Sequence, residues 1–398
     1  PTYDDAAILA EAGGWEAAHA PLPAPRWSDV PDVSRRPLRV GFVSPNLCDH
    51  VVGRNMLPLF ARHDAERFEF YAYRHSPRND AITASLLRHC AADRDISAMS
   101  DDEAADLIRS DGIDILFDLA LHLADNRLTL FARRPAPVQA TFAGYPGTTG
   151  LRAIDFRLTD PYLDPPGQRD HAYVERSVRL PATFWCYDPI DLASLRVGPP
   201  PALRNGQVTF GCLNSFAKVN EPTLRLWSRV LAGVPGSRLR LLSHPGAHLD
   251  AARRVFAAEG VEPDRIEFAA PGPRGHYMRL YHDIDVGLDT LPYNGHTTSL
   301  DSLWMGVPVV TRVGRTVAGR AGLSQLTNLG LGELIAHDDD AFVRIATELA
   351  SEPDRLFDLR RGLRERMERS PLMDAEAFAR GFENAILEML RMAGDSRG

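Results

Sequence analysis

The run Asn294-Gly295-His296-Thr297-Thr298-Ser299-Leu300-Asp301 combines residue types suited to holding a phosphorylated ligand. Gly295 lets the backbone approach a ligand closely. Thr297, Thr298 or Ser299 can cap a helix, and the N–H groups and positive dipole end of that helix suit a diphosphate. Asp301, one turn further on, is placed to accept hydrogen bonds from ribose hydroxyls. Helix capping alone explains the same Thr and Ser residues equally well. A second signal is Lys218, in CLNSFAKVNEPTL, the single lysine among 45 Lys and Arg residues. A compact ammonium kept at a strand-to-helix turn can neutralise a leaving diphosphate. A surface lysine with no task is the plainer alternative.

A third signal is the loop Gly144-Tyr145-Pro146-Gly147-Thr148-Thr149-Gly150, which follows an apolar run. Its glycines either expose backbone N–H groups to a ligand or serve a tight turn. His50, after VGFVSPNLCD, and His122, after ILFDLAL, also follow apolar runs. An imidazole there can take a proton or orient a hydroxyl, because it titrates near neutrality; a satisfied loop histidine is the simpler reading. Other patterns are set aside. Asp283-Ile284-Asp285 has the spacing of a metal-holding pair, but it opens an alternating apolar strand (Ile284, Val286, Leu288) and reads as structural. Asp338-Asp339-Asp340 reads as a loop and helix cap. His63, His75 and His89 lack the spacing of a metal site, and no phosphate-loop Gly-Lys-Ser/Thr motif occurs, which excludes a P-loop ATPase.

Alternating strands and helices must position these residues. Residues 4–20 read as one Ala-rich helix and LPAPRWSDVPDVSRRP as a proline-rich linker. LRVGFVSPNL reads as a buried parallel strand. MLPLFARHD, AITASLLRHCAA, DDEAADLIRSD and NRLTLFARRP read as helices among the strands FEFYAYRH, IDILFDLAL and VQATF, with Pro135 stopping the last helix. A second series starts near residue 207. Its strands QVTFGCLNS, SRLRLLSHP, DRIEFAA, DVGLDT and VPVVTRVG accompany the helical EPTLRLWSRVLAGV, DAARRVFAAEG, HYMRLYHDI and SLDSLWMG. The tail from Asp339 is mainly helical. The alternation implies parallel sheets in an α/β protein. The Pro- and Gly-containing passage 182–206 marks the domain boundary. The expected organisation is a helix and linker over 1–37, a Rossmann-like domain over 38–205, and a second over 206–398 that keeps the C-terminal helices. Two such doubly wound domains facing each other form a ligand cleft at the carboxyl ends of their strands.

Composition narrows the function. The length of 398 residues suits two domains of ordinary size. Hydrophobic residues at 44% and charged residues at 25% describe a globular protein rather than a disordered one. A net charge of -8 makes a poor general binder of nucleic acid or anionic membrane. No apolar run is long enough to span a bilayer, and the acidic start lacks the basic n-region of a signal peptide. The chain opens on Pro1 rather than Met, which is compatible with an earlier natural start. Cys48, Cys90, Cys186 and Cys212 lie far apart, which fits a reducing cytoplasm rather than a disulfide or zinc framework.

Four blocks occur in this order: RVGFVSPNLCDH, DGIDILFDLALHLADNRLTLFARRPAPVQATFAGYPGTTGL, FGCLNSFAKVNEPTLRLWSRVLAGVPGSRL and DVGLDTLPYNGHTTSLDSLWMGVPVVTRVGRTVAGRAGLSQL. Together they resemble the catalytic region of the O-linked N-acetylglucosamine transferase and SPINDLY family, over roughly residues 38–390. On this resemblance the chain is identified as a bacterial member. The resemblance implies the two-domain GT-B fold, a nucleotide-sugar donor, a protein Ser/Thr acceptor, inversion at the anomeric carbon, and neither metal nor other cofactor. By position, Lys218 would hold the diphosphate, Gly295, His296, Thr297 and Thr298 the phosphates and nucleotide, and Asp301 the ribose. Asn214 and Ser215 would join this donor set, and Tyr145, Pro146, Gly147 and Thr148 would border the donor sugar. His50 and His122 would face the sugar and acceptor. The base stays open among these two histidines and a donor phosphate oxygen.

Two departures bear on the donor. Ser215 stands where the family member that uses UDP-N-acetylglucosamine has Gln. Tyr277, with His276 just before it, stands where family members have a histidine. NSFAK and ALHLADNR resemble SPINDLY-like members, which can use GDP-fucose. The expected function is inverting, metal-independent transfer of a sugar, N-acetylglucosamine from UDP-N-acetylglucosamine, to protein Ser or Thr in the cytoplasm, without nucleic-acid or membrane partners. Alternatives are O-fucosylation from GDP-fucose, flagellin glycosylation from a CMP-nonulosonate donor, and an inactive nucleotide-sugar-binding module. A nucleotide-sugar epimerase of similar fold would need an acidic catalytic pair, which is not evident. Family members usually carry tetratricopeptide repeats before the catalytic part. Either such an array lies upstream or has been lost, or acceptor choice works without it.

Overall fold

A computed structural model describes residues 4–20, 27, 31 and 37–395. The proline-rich linker expected over 22–37 lies almost wholly outside the described residues. The chain divides into two units, Pro1–Asp188 with Met373–Gly398, and Pro189–Leu372.

In the first unit the elements run α1 (Asp5–His19), β1 (Leu38–Ser44), α2 (Val51–Arg62), β2 (Phe68–Arg74), α3 (Ala81–Leu87), β3 (Ala92–Asp95), α4 (Asp101–Ser110) and β4 (Ile115–Asp118). They continue with α5 (Leu128–Ala132), β5 (Val138–Thr141), β6 (Phe156–Thr159) and β7 (Arg176–Arg179). The sheet order is β3-β2-β1-β4-β5-β6-β7, with every described pairing parallel. The chain moves outward from β1 to β3, then returns to build the other half from β4. The turns leaving β1 and β4 therefore emerge side by side, with Val43 opposite Asp118. Such a reversal leaves a crevice at the strand ends, where ligands of doubly wound folds bind.

The second unit repeats the plan: α6 (Ala202–Asn205), β8 (Thr209–Cys212), α7 (Glu221–Gly233), β9 (Arg238–Leu242), α8 (Ala247–Ala258), β10 (Ile266–Ala269), α9 (Arg274–Arg279) and β11 (Val286–Leu288). Then follow α10 (Thr297–Trp304), β12 (Val309–Arg312), α11 (Ala321–Asn328), β13 (Ile335–Ala336), α12 (Asp339–Ser351) and α13 (Pro353–Glu368). The order β10-β9-β8-β11-β12-β13 is again all parallel and reverses between β8 and β11.

The last helix, α14 (Ala375–Asp395), groups with the first unit. This corrects the expectation that the C-terminal helices all stay with the second domain. The reason is an apolar stripe that fits the first unit's core. The Phe382 ring lies 5.0 Å from Phe117, 5.6 Å from Phe142 and 6.3 Å from Phe42. Glu383, buried next to it, accepts the Asp64 backbone N–H at 2.7 Å. The division falls at 188/189, inside the passage 182–206 but ahead of the expected 205/206. Nor does α1 stand apart from the first unit: Glu16 accepts the Arg152 N–H at 2.8 Å, and Arg169 pairs with Asp5 at 2.5 Å.

Besides the two-residue β13, three strands escape the sequence reading because their residues are polar. β3 reads Ala-Asp-Arg-Asp, β6 carries the fully buried Arg157, and β7 reads Arg-Ser-Val-Arg. The helix expected through Ala92 stops at Leu87, and β3 begins at Ala92.

Candidate active site

In the second unit, β8 delivers Asn214 and Ser215, and a single helical turn then ends at Lys218. Asn220 follows as the cap of α7, accepting the Thr223 N–H at 3.1 Å. Lys218 is thus confined between a strand end and a helix cap. Beside it, β11 ends and Asp289 folds the next turn. Its buried carboxylate accepts the N–H groups of Thr290 (2.8 Å) and Gly295 (2.6 Å) and the Thr311 hydroxyl (2.7 Å). Burial still pushes the Asp289 carboxyl up to about 6. The Lys218 ammonium donates to Asn294 O at 2.8 Å and lies 3.9 Å from the Tyr293 ring centre. Burial pushes it down to about 8, with Asp289 opposing.

Gly295 is demanded by packing: a Cβ there would come 2.2 Å from Ser299 Oγ and 3.1 Å from Asn214 Oδ1. Asn214 donates to the Thr290 hydroxyl at 3.0 Å, while its buried Oδ1 has no hydrogen-bond partner among the described residues. Asn214, Asp289, Thr298 and Ser299 share the wall of one cavity. The N-cap of α10 is His296, with no side-chain cap bond. The capping explanation for Thr297, Thr298 and Ser299 therefore does not describe this helix start. The His296 ring contacts Ala318 O at 3.3 Å through Nε2, and its carbonyl accepts from Gln325 at 3.0 Å. Burial, then the Lys218 charge, pushes His296 down to about 3, so the ring is neutral.

Asp301 is paired with Arg274 at 3.0 Å. Arg274, which the sequence reading missed, thus already occupies the carboxylate expected to meet a ribose. The Tyr277 and Tyr281 hydroxyls lie 2.7 Å apart, and Tyr281 donates to Thr298 O at 3.0 Å. Burial holds both phenols well above their ordinary range, so both stay protonated.

In the first unit, His50 caps α2: its Nδ1 accepts the Val52 N–H at 3.2 Å. Burial, then Arg54 and Arg78, pushes His50 below its usual value. A neutral ring whose Nδ1 accepts must carry its hydrogen on Nε2. His122 is the converse, with Nε2 2.8 Å from Thr149 O. The loop Gly144–Gly150 is a tied turn rather than an open row of amides. The N–H groups of Gly144, Gly147, Thr149 and Gly150 are bonded within the unit. Arg157, wholly buried, donates to Pro146 O and Gly147 O at 3.1 Å. Tyr145 folds its ring over Gly147, where a Cβ would lie 2.2 Å from that ring. Burial pushes its phenol up to about 12. The buried Thr148 hydroxyl donates to Glu175 at 2.6 Å.

Asn214, Ser215, Lys218, Gly295, His296, Thr297, Thr298 and Asp301 therefore follow the two adjacent strands β8 and β11 or lie on the helix after β11. In the other unit His50 follows β1, His122 follows β4, and Tyr145 to Thr148 follow β5. The two acidic patterns set aside are structural. Asp285 accepts the N–H groups of Ala202 and Thr209, and Asp338 caps α12. Among the described residues no three His, Cys, Asp or Glu side chains cluster to hold a metal ion. No described helix is long and apolar enough to cross a membrane.

A family model for glycosyl transferase family 41 matches residues 23–194 and 201–382. The chain belongs to this family. It is 40% identical over 372 residues to a protein of Oryza sativa subsp. japonica named "Probable UDP-N-acetylglucosamine--peptide N-acetylglucosaminyltransferase SPINDLY". That match covers 91% of this chain and 40% of the rice protein, so the chain spans about two-fifths of such relatives. A solved mutant of the Thermobaculum terrenum O-GlcNAc transferase is 39% identical, with a TM-score of 0.93 over 100% of this chain and 76% of that one. The lipopolysaccharide outer core galactosyltransferase WaaB, 12% identical, shares the fold alone, with a TM-score of 0.56 over 88% of this chain and 99% of that one. The family 41 chain is thus α/β, built from two Rossmann-like units of the GT-B type.

Proposed function

We propose that this chain is the catalytic part of a glycosyltransferase that moves N-acetylglucosamine from UDP-N-acetylglucosamine to a Ser or Thr hydroxyl of a protein. The observation that carries the reading is the convergence of Lys218 and the amino end of α10 at the β8–β11 reversal. An ammonium and a helix start together suit a diphosphate. The names of the rice relative and the Thermobaculum terrenum enzyme support the donor and the acceptor class.

The reaction is a direct displacement with inversion. The acceptor oxygen forms a bond to the anomeric carbon as that carbon's bond to the diphosphate oxygen breaks. Lys218 and α10 take up the leaving charge, so no metal is required for that task. We assign the acceptor's proton to His122, whose Nε2 contact with Thr149 O leaves Nδ1 as the ring position that can accept it. His50 offers Nε2–H instead and serves as a hydrogen-bond donor. Four unpaired thiols support a reducing compartment.

A donor panel tests the reading. The protein is incubated with a Ser/Thr-rich acceptor and UDP-N-acetylglucosamine, GDP-fucose or a CMP-nonulosonate, and the acceptor's intact mass is measured. A hexosamine-sized gain with the first donor is expected. A gain only with another donor replaces the sugar, and no transfer or donor hydrolysis with any of them removes the enzymatic reading.

A further inference from the structure

The turn after β4 and the loop after β5 meet in the first unit, and their contacts decide how His122 carries its proton. A carbonyl oxygen only accepts hydrogen bonds. Thr149 O lies 2.8 Å from His122 Nε2, so that nitrogen holds the hydrogen. Thr149 is itself held from outside the loop by Glu175, on the approach to β7. That carboxylate accepts the Thr149 N–H at 2.7 Å, the Thr149 hydroxyl, and the Thr148 hydroxyl at 2.6 Å. Glu175 is 2% exposed, and solvent offers it little competing hydration.

The far end of the loop is gripped in the same way. Gly150, at φ +70°, abuts α1 so closely that a Cβ would come 2.4 Å from the Ala12 carbonyl carbon. Glu16 of α1 accepts the Arg152 N–H at 2.8 Å, and the Trp15 ring meets His122 edge-on at 5.2 Å. On the β4 side, Asp118 accepts the N–H groups of Ala120 and Leu121 and the Thr141 hydroxyl. It fixes Leu121 at φ +49°, a conformation side-chain-bearing residues rarely adopt, one residue before His122. Two carboxylates thus clamp the loop, and a third sets the turn that presents the histidine.

We propose that Glu175 is a positioning residue for transfer: through Thr149 it locks His122 in the tautomer whose Nδ1 takes the acceptor hydroxyl's proton. The proposal rests on His122 being the base. As the proton reaches Nδ1 the ring becomes an imidazolium, and Nε2–H keeps its bond to Thr149 O. Without the carboxylate, Thr149 loses two anchoring bonds and the ring loses its fixed partner.

The test uses the full chain labelled with nitrogen-15 in its histidine rings, with His122→Ala to assign the His122 signals. Glu175→Gln and Thr149→Val are compared with Thr149→Ser, and melting temperatures report folding. In the parent and in Thr149→Ser, Nε2 is expected to carry the proton. In the other two variants the tautomers mix, and kcat with UDP-N-acetylglucosamine falls on the order of 10- to 100-fold with KM for the donor unchanged. An unaltered His122 tautomer in both Glu175→Gln and Thr149→Val overturns the positioning role, whatever the turnover. Full turnover in His122→Ala removes the base assignment instead, and with it any catalytic meaning of the clamp.

Discussion

Replacing Lys218 with methionine should leave the protein about as stable as the parent and nearly inactive. Burial lowers the ammonium from an ordinary 10.5 to about 8. At 1.36 kcal/mol per pH unit this bounds the folding penalty of the charge at about 3 kcal/mol. The side chain is only half-buried, so solvent screening reduces the penalty to about 1–2 kcal/mol. Methionine keeps the unbranched stem and removes the charge, but it also takes the hydrogen bond from Asn294 O, a loss of about 1 kcal/mol, so near neutral pH Tm should stay within about 3 °C of the parent. The pH dependence has a fixed sign. Below pH 8 both folded and unfolded chains hold the proton, and the full penalty applies. Between 8 and 10.5 the folded state gives up its proton first, so the parent gains stability relative to Lys218→Met as the pH rises. Activity should move the other way. An ammonium about 4 Å from a unit charge contributes roughly 4 kcal/mol at an effective dielectric of about 20. Part of this acts on the bound donor already, so kcat should fall by about 100- to 1,000-fold. Calorimetric melts from pH 7 to 9.5 and a donor-transfer assay measure both effects. A variant that turns over within about tenfold of the parent refutes the charge role. A Tm difference from the parent that does not change with pH refutes the desolvation argument.

Gly295→Ala forces a Cβ to 2.2 Å from Ser299 Oγ, so the start of α10 must shift. A loss of about 1–3 kcal/mol in stability and weaker UDP binding by calorimetry are expected; unchanged binding would show that this backbone does not approach the diphosphate. Phe382→Ala empties a site lined by Phe42, Phe117 and Phe142 and should cost about 3–5 kcal/mol in urea unfolding. A cost under about 1 kcal/mol would mean that α14 is not integral to the first unit's core.

Much of the candidate site is legible in sequence because strand ends, glycines and helix starts leave local marks. Asn294–Asp301 and Lys218 stand out by residue type and spacing alone, and both fall where β11 and β8 end. The partners that tune them leave no such mark. Arg274 reaches Asp301 across 27 positions, and Glu175 reaches Thr149 across 26. A hydrogen bond between distant segments has no periodicity to detect. For the same reason Thr148, which looks from its setting like a ligand-facing hydroxyl, proves to be tied to a buried carboxylate.

By itself the sequence determined the α/β class, the two-unit plan and most elements with apolar cores, because burial imposes a period on neighbouring residues. Only the tertiary structure decided the strand order, which reverses between β1 and β4 and again between β8 and β11. It alone moved α14 into the first unit and brought Thr149 O against His122 Nε2. Each of these depends on which distant segments share a core or a hydrogen bond, and that choice is made by the free energy of the whole assembled chain rather than by any local stretch of it.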